Sequence, residues 1–315
     1  MAKMIITGNS PEFTYKPSRW LQVGRGWNIV FNIIMALLAL MSIVPMLLIL
    51  SISLSAESSL EQFGYQFIPR TWSLDGYKYI FTQSTAIIRA LSISVFVTVS
   101  GTVIGVILNG LMGYVLTRHS YKLNKFFTWF VFIPMIFNGG LVSSYFIIGN
   151  FLRLSNTIWV LILPLAVSSY NIILCRTFFK ATIPDSLIES ANIDGASELT
   201  IFFRLIVPLS KPVLATIALF LAFAYWNDWF TSLLYINNSN LYSLQAYLNK
   251  ILGDIEFLRQ NAGTLGVASQ QLIAAMPKEA ARMAIVVIAV VPIACSYPFF
   301  QRYFVSGLTV GALKG

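Results

Sequence analysis

The residues best able to hydrogen-bond a solute stand inside long apolar runs. Tyr225, Trp226, Asn227 and Asp228 are consecutive in one run, Tyr170 and Asn171 fall in a second, and Asn109 and Asn138 lie in two others. A polar group in such a run is costly and marks a solute path or a bond between helices. Asn, Asp and Tyr bond hydroxyl-rich molecules, and aromatic rings lie flat against sugar faces. Asn227 and Asp228 therefore head a candidate path for a hydroxyl-rich solute. The competing use is interhelical bonding, or an aromatic belt where the run meets an interface.

Bond-making chemistry finds little support. His119 is the one histidine and sits beside Arg118 with no companion for general-base or metal work. Cys175 and Cys295 both fall in apolar runs and read as small buried hydrophobes. No Ser-His triad context and no paired carboxylates stand out. A G-x-x-x-x-G-K-[ST] phosphate loop is absent, so any ATP must act through another polypeptide. Neither enzymatic activity nor a bound cofactor or metal is expected.

The stretch 183–212, IPDSLIESANIDGASELTIFFRLIVPLSKP, has its own organisation. Pro184 suits the first position of a helix, with Asp185 and Glu189 near its positive end. Asp194-Gly195 is a turn signal, and Ser197 can cap a second helix beginning at Glu198. Pro208 and Pro212 punctuate the return to apolar sequence. Ser190 and Ala191 give the first helix a narrow face, while Leu199, Phe202, Phe203 and Ile206 form a ridge on the second. This predicts a helix–turn–helix; an amphipathic linker lying on a membrane is the alternative.

The elements that must position these groups follow from composition. The 315 residues are 57% hydrophobic and 10% charged, with mean hydropathy +0.74. Soluble domains carry about 25% charged residues. In lipid the backbone must bond internally, and unalternated apolar runs select helices over a barrel. Six spans are predicted, at 28–54, 90–116, 126–148, 157–179, 212–235 and 281–303. The net charge of +9 is topological and does not signal nucleic acid. Lys3, Lys16, Arg19 and Arg25 precede the first span. Arg118, Lys122 and Lys125 follow the second, Arg176, Lys180, Arg204 and Lys211 belong to the fourth-to-fifth connection, and Arg302 and Lys314 are at the C-terminus. Six spans put all of these on the cytoplasmic side, with both termini. Gly101, Gly105, Gly110 and Gly113 give the second span a small face for close packing, within the chain or against a partner. The outer segments 55–89 and 236–280 read as structured caps, either for an extracytoplasmic protein or simply packed over helix ends.

The 183–212 loop resembles the EAA loop of ABC-importer permeases. Glu189, Ser190 and Ala191 match Glu-Ala-Ala with one Ser for Ala, Gly195 has the required spacing, and Leu205, Val207 and Pro208 supply the ending. In that family the loop is a coupling helix seated in a groove of the ATPase. The resemblance thus assigns coupling to Glu189, Ser190, Ala191, Asp194, Gly195, Ala196 and Pro208. The 193–197 run is similar to sugar permeases, and so are 226–230 and the order of Asn138-Gly139-Gly140-Leu141 before Arg176-Thr177-Phe178-Phe179. The ending 307–315 resembles the maltose-transporter type of permease, whose tail reaches the ATPase interface; Gly307, Thr309, Gly311, Lys314 and Gly315 carry that likeness.

The resemblance implies an all-α type I importer fold: a cytoplasmic tail at 1–27, a six-span permease domain at 28–306 and a cytoplasmic tail at 307–315. It further implies a second homologous permease, a dimeric ATPase holding ATP and Mg, an extracytoplasmic solute-binding protein, and a bacterial cytoplasmic membrane. The expected cargo is an oligosaccharide moved by alternating access. Another solute, or an ion-coupled secondary transporter, is the alternative. In the maltose system the sugar contacts lie mainly in the partner permease.

Overall fold

A computed structural model describes residues 24–83, 85–118, 120–260 and 279–312. Those residues are mostly helical; an isolated bridge between Ser55 and Trp72 is the only extended pairing among them. His119 and the helix-like stretch at 265–276 lie outside the described residues.

Two helices are long and apolar enough to cross a bilayer unaided. They fall within α1 (Arg25–Ser53) and α4 (Thr85–Val115). Between them α2 (Glu57–Phe63) and α3 (Asp75–Lys78) form a short cap. The expected third span is broken: α5 (Asn124–Ile136) ends at extended Phe137, and α6 (Gly140–Tyr145) starts afresh. The fourth is α7 (Ile158–Ala166) and α8 (Ser169–Thr182), bent by 44° at an extended link. Pro134 and Pro164 stand in the last turns of α5 and α7, where a missing N–H weakens the helix. After the loop helices α9 (Asp185–Ile193), α10 (Glu198–Ile201) and α11 (Val207–Leu209) comes α12 (Lys211–Asn227). The expected fifth span breaks at Asp228, and α13 (Phe230–Tyr235) is separate. α14 (Leu244–Gln260) and the final helix α15 (Glu279–Ala312) complete the order.

α4 is the hub, packed against α7, α8, α12 and α14. Its small face accounts for this. A Cβ on Gly101 would enter the Tyr225 ring, one on Gly105 would lie 2.9 Å from the Ala166 carbonyl, and one on Gly113 would meet Cys175. The glycine stripe is therefore filled from within the chain, which decides between the two uses its spacing allowed. In lipid, such close backbone approach replaces the hydrophobic drive between helices. By contrast α1 is exposed along its span and touches chiefly α15. That much exposed apolar surface fits lipid or another membrane chain, not water.

The break between α7 and α8 is sealed from α4. Asn109, fully buried, donates from Nδ2 to the carbonyls of Gly105 at 2.6 Å and Ala166 at 2.7 Å; its Oδ1 accepts the Ser168 amide at 3.0 Å. One amide thus satisfies both sides of a helix interruption that lipid could not solvate. Asn109→Ala strands the Ser168 amide and an Ala166 lone pair. The expected cost is about 2 kcal/mol, between the small mean for interhelical bonds in membranes and the full penalty of an orphaned pair. A melt in detergent checks this; a melting temperature equal to wild type contradicts the assignment.

The outer cap rests on helix ends. Glu57 accepts the first amides of α15, from Glu279 and Ala280, both at 3.1 Å. Ser53 and Tyr77 share a hydroxyl contact at 3.0 Å, and Gly76 sits against the Ala280 carbonyl. For this segment, packing over helix ends is the structural role the contacts describe.

Candidate functional site

The loop at 183–212 forms an elbow whose shape is written in its turn residues. Pro184 is extended at φ −65° and ψ 140°, and α9 begins at the next residue. α9 closes in a Schellman turn: the Gly195 amide bonds the Asn192 carbonyl and the Ala196 amide bonds the Ala191 carbonyl, both at 3.0 Å. Gly195 has φ +79°, the left-handed region where a side chain is strained. Ala191 and Ala196 both pack on the core, the apolar contact that accompanies this turn. The Glu-to-Gly spacing of the motif is thus one short helix plus its cap. Ser197 then caps α10, accepting the Thr200 amide at 3.3 Å. From Glu198 to Leu209 the chain stays helical, with one wide turn over Phe202–Ile206, before bending by 88° into α12.

The elbow has a held face and an offered face. Ile188, Ile201, Phe202 and Ile206 are buried in the core that also contains Tyr114, Cys175 and Phe179. The Phe202 ring lies 5.9 Å from Tyr114, in the notch left by Gly110. The Tyr114 hydroxyl donates to Glu198 at 2.5 Å, tying α4 to α10. The ridge expected on the second helix is therefore divided. Phe202 and Ile206 point inward, and Leu199 and Phe203 remain exposed. Glu189, Ser190, Asp194, Gly195 and Pro208 are also exposed, with Ile193 at 86% exposure on the tip. A rigid surface mixing acid and apolar groups at a bundle end is suited to docking against another protein.

The candidate path residues separate into two groups. The Tyr225 hydroxyl donates to the Ile162 carbonyl at 2.6 Å and the Trp226 indole donates to the Ala289 carbonyl at 2.8 Å, both buried. These bonds join α12 to α7 and α15. Asn171 is buried, Tyr170 is exposed, and exposed Asn138 caps Gly140 through its Oδ1 at 2.8 Å. Asp228 accepts the Thr231 amide at 3.0 Å and so starts α13. Asn227, exposed, lines a cleft of about 580 Å³ with Trp229, Gln245, Asn249 and Arg282. Asn227 and Trp229 face the same cleft; Tyr225, Trp226 and Asp228 are engaged elsewhere.

Residues 101–310 match the family described as binding-protein-dependent transport system inner membrane component. The chain belongs to this family. The permease is 36% identical to protein LplC of Bacillus subtilis over 294 residues, covering 93% of this chain and 97% of that one. It is also 36% identical to YtcP of the same organism, named as a polygalacturonan/rhamnogalacturonan transport system permease, over 88% and 94% of the two chains. A solved chain from a bacterial ABC transporter that imports the acidic polysaccharide alginate superposes with a TM-score of 0.77, at 28% identity over 92% of this chain and all of that one.

In the permease, the tail residues Gly307, Thr309 and Gly311 continue α15 as helix, while Lys314 and Gly315 lie outside the described residues. Two groups escaped the sequence reading. Tyr114 looked like one aromatic in an apolar run, and Glu198 like an ordinary first-turn acid; only the fold brings them together. Asn109 was visible as a polar residue in a span, but its partners at 166 and 168 were not.

Proposed function

We propose that this permease is the membrane subunit of an ATP-driven importer, and that its cargo is an oligosaccharide. The observation carrying the first part is the elbow: α9 and α10, closed at Gly195, clamped by Ile188, Phe202 and Ile206, with Glu189, Ile193 and Asp194 outward. The relatives' printed cargoes, polygalacturonan/rhamnogalacturonan and the acidic polysaccharide alginate, support a carbohydrate.

In this reading six membrane crossings bring both termini and the elbow to the cytoplasm, in keeping with the basic residues around 118–125 and 176–211. The bent pair α7–α8 and the broken runs at 137–139 and 228–229 count as single crossings. Breaks of this kind are tolerated where they are buried in protein or line a water-filled path. A second, similar permease supplies the other wall of the path, covering α5, α6 and the exposed face of α4. Closure of a separate ATPase dimer, holding ATP and Mg, moves the elbow as a rigid body. Tyr114–Glu198 and Phe202 pass that movement to α4, and Tyr225 passes it on to α12 and α7. Access to the path then alternates between sides. An extracytoplasmic binding protein delivers the sugar to the outer end, where Asn227 and Trp229 are placed to meet it.

Crosslinking tests the reading. With Ile193→Cys in the complete importer, a short bifunctional thiol reagent is expected to join the permease to an ATPase engineered with a cysteine in its docking groove. Uptake should stop on crosslinking and return on reduction. A tip cysteine reached only by impermeant reagents from outside, or uptake that continues without any ATPase, counts against it and favours ion coupling.

A further inference from the structure

Arg118 is the group the coupling reading leaves unexplained. It stands three residues beyond the end of α4, and its Nε is buried with no hydrogen-bond partner. Its guanidinium carbon lies 5.9 Å over the Tyr114 ring, and among the described residues no carboxylate pairs with it. A guanidinium with no carboxylate partner is a ready anchor for an anion with paired oxygens, which its fork of N–H donors can hold.

The space beside it has a definite character. Arg118 lines a groove of about 460 Å³ together with Leu111, Val115, Tyr121 and exposed Leu199. The apolar walls Leu111 and Val115 run back along α4, and the polar end is formed by Arg118, Ser120 and Tyr121; Lys122 and Lys125 follow in sequence and are exposed. Glu198 also lines the groove, but its carboxylate holds the Tyr114 hydroxyl. A phosphate with an acyl chain attached matches both ends of this groove. A free phosphate matches only one.

We propose that this groove binds one anionic phospholipid, its phosphodiester on Arg118 and an acyl chain against Leu111, Val115 and Leu199. The inference rests on the cytoplasmic placement of the elbow, because a basic end there faces the anionic leaflet. The lipid would sit against the Tyr114–Glu198 tie, at the joint between α4 and the elbow.

The test uses the purified importer complex, stripped of loosely held lipid, incubated with phosphatidylglycerol or phosphatidylcholine and examined by native mass spectrometry. One phosphatidylglycerol per copy of this chain should be retained about tenfold better than phosphatidylcholine, as one charge-assisted headgroup contact allows. Arg118→Gln should remove that preference, Arg118→Lys should keep part of it, and Lys125→Gln, at an exposed neighbour, should change it by less than about twofold. Unchanged retention in Arg118→Gln overturns the proposal. So does equal retention of the two lipids, displacement by inorganic phosphate alone, or burial of Arg118 by the ATPase in a footprinting experiment. Should Arg118→Gln fail to assemble, Arg118→Lys decides: a reduced preference supports the site, and a preference equal to wild type overturns it. Lipid retention is read without transport, so its failure leaves the importer reading standing, and failed import leaves the lipid result standing.

Discussion

A permease carrying Glu189→Lys together with Gly195→Asp is expected to reach the membrane, melt near wild type and import nothing measurable. The folded state tolerates both changes. Glu189 is exposed, and nothing stands within 4 Å of where a Gly195 side chain would begin. The local cost is the left-handed backbone at φ +79°, about 1 kcal/mol for a short polar residue, small beside a core fixed by Ile188, Ile201, Phe202 and Ile206. At the docking surface the effect is far larger. In the proposed complex, charge reversal at Glu189 and a solvated carboxylate at the turn set unmatched charges in the interface, a penalty of several kcal/mol. At 1.4 kcal/mol per tenfold, the coupled complex falls by about 100-fold or more. Transport assays in vesicles, beside a melt of the isolated permease, separate the two effects. Normal import by the double variant would remove the coupling assignment.

Gly113→Val should prevent accumulation of folded permease, whereas Gly110→Ala should be nearly silent. The two glycines lie one turn apart on α4 but face different neighbours. A Cβ at Gly113 meets Cys175 and lies 3.1 Å from the Arg176 amide and 3.2 Å from the Ile172 carbonyl. These are backbone and near-backbone atoms of α8 that cannot give way without moving the helix. At Gly110 the nearest atom is Phe202 Cζ at 3.2 Å, the end of a side chain that can rotate by a few tenths of an ångström. Overpacking of the first kind costs about 3 kcal/mol or more, and of the second well under about 1. Fluorescence-detected chromatography of tagged variants reads the difference. Equal yields would mean that α4 and α8 do not meet through Gly113.

Much of this protein was readable one segment at a time. Apolar runs too long and too continuous for a soluble core announced membrane helices, and α1 and α4 appear where hydropathy put them. The loop was legible in more detail, because its signals are local: Gly195 at the left-handed turn and Ser197 capping α10 each act on backbone within a few residues, although Pro184, expected as the first helical residue, stands extended just before α9. The interruptions were not. Hydropathy treats 126–148, 157–179 and 212–235 as uninterrupted, whereas the chain breaks near 138, 167 and 228. An apolar tally has no term for a distant amide such as Asn109 making such a break tolerable.

Tyr225 and Asn227 show the same division at a finer scale. Both are polar, both lie in one apolar run, and composition ranks them alike as path residues. Burial of one against Ile162 and exposure of the other beside Trp229 depend on how α12 is rotated against α4 and α7. The sequence alone settled the mostly helical class, the longest apolar helices and the turns of the elbow, since those follow from interactions within a turn or two of chain. Only the tertiary structure decided which polar groups lock helices together, which stay exposed, and that Tyr114 reaches Glu198, because such pairings join residues far apart in sequence and are set by packing across the whole bundle.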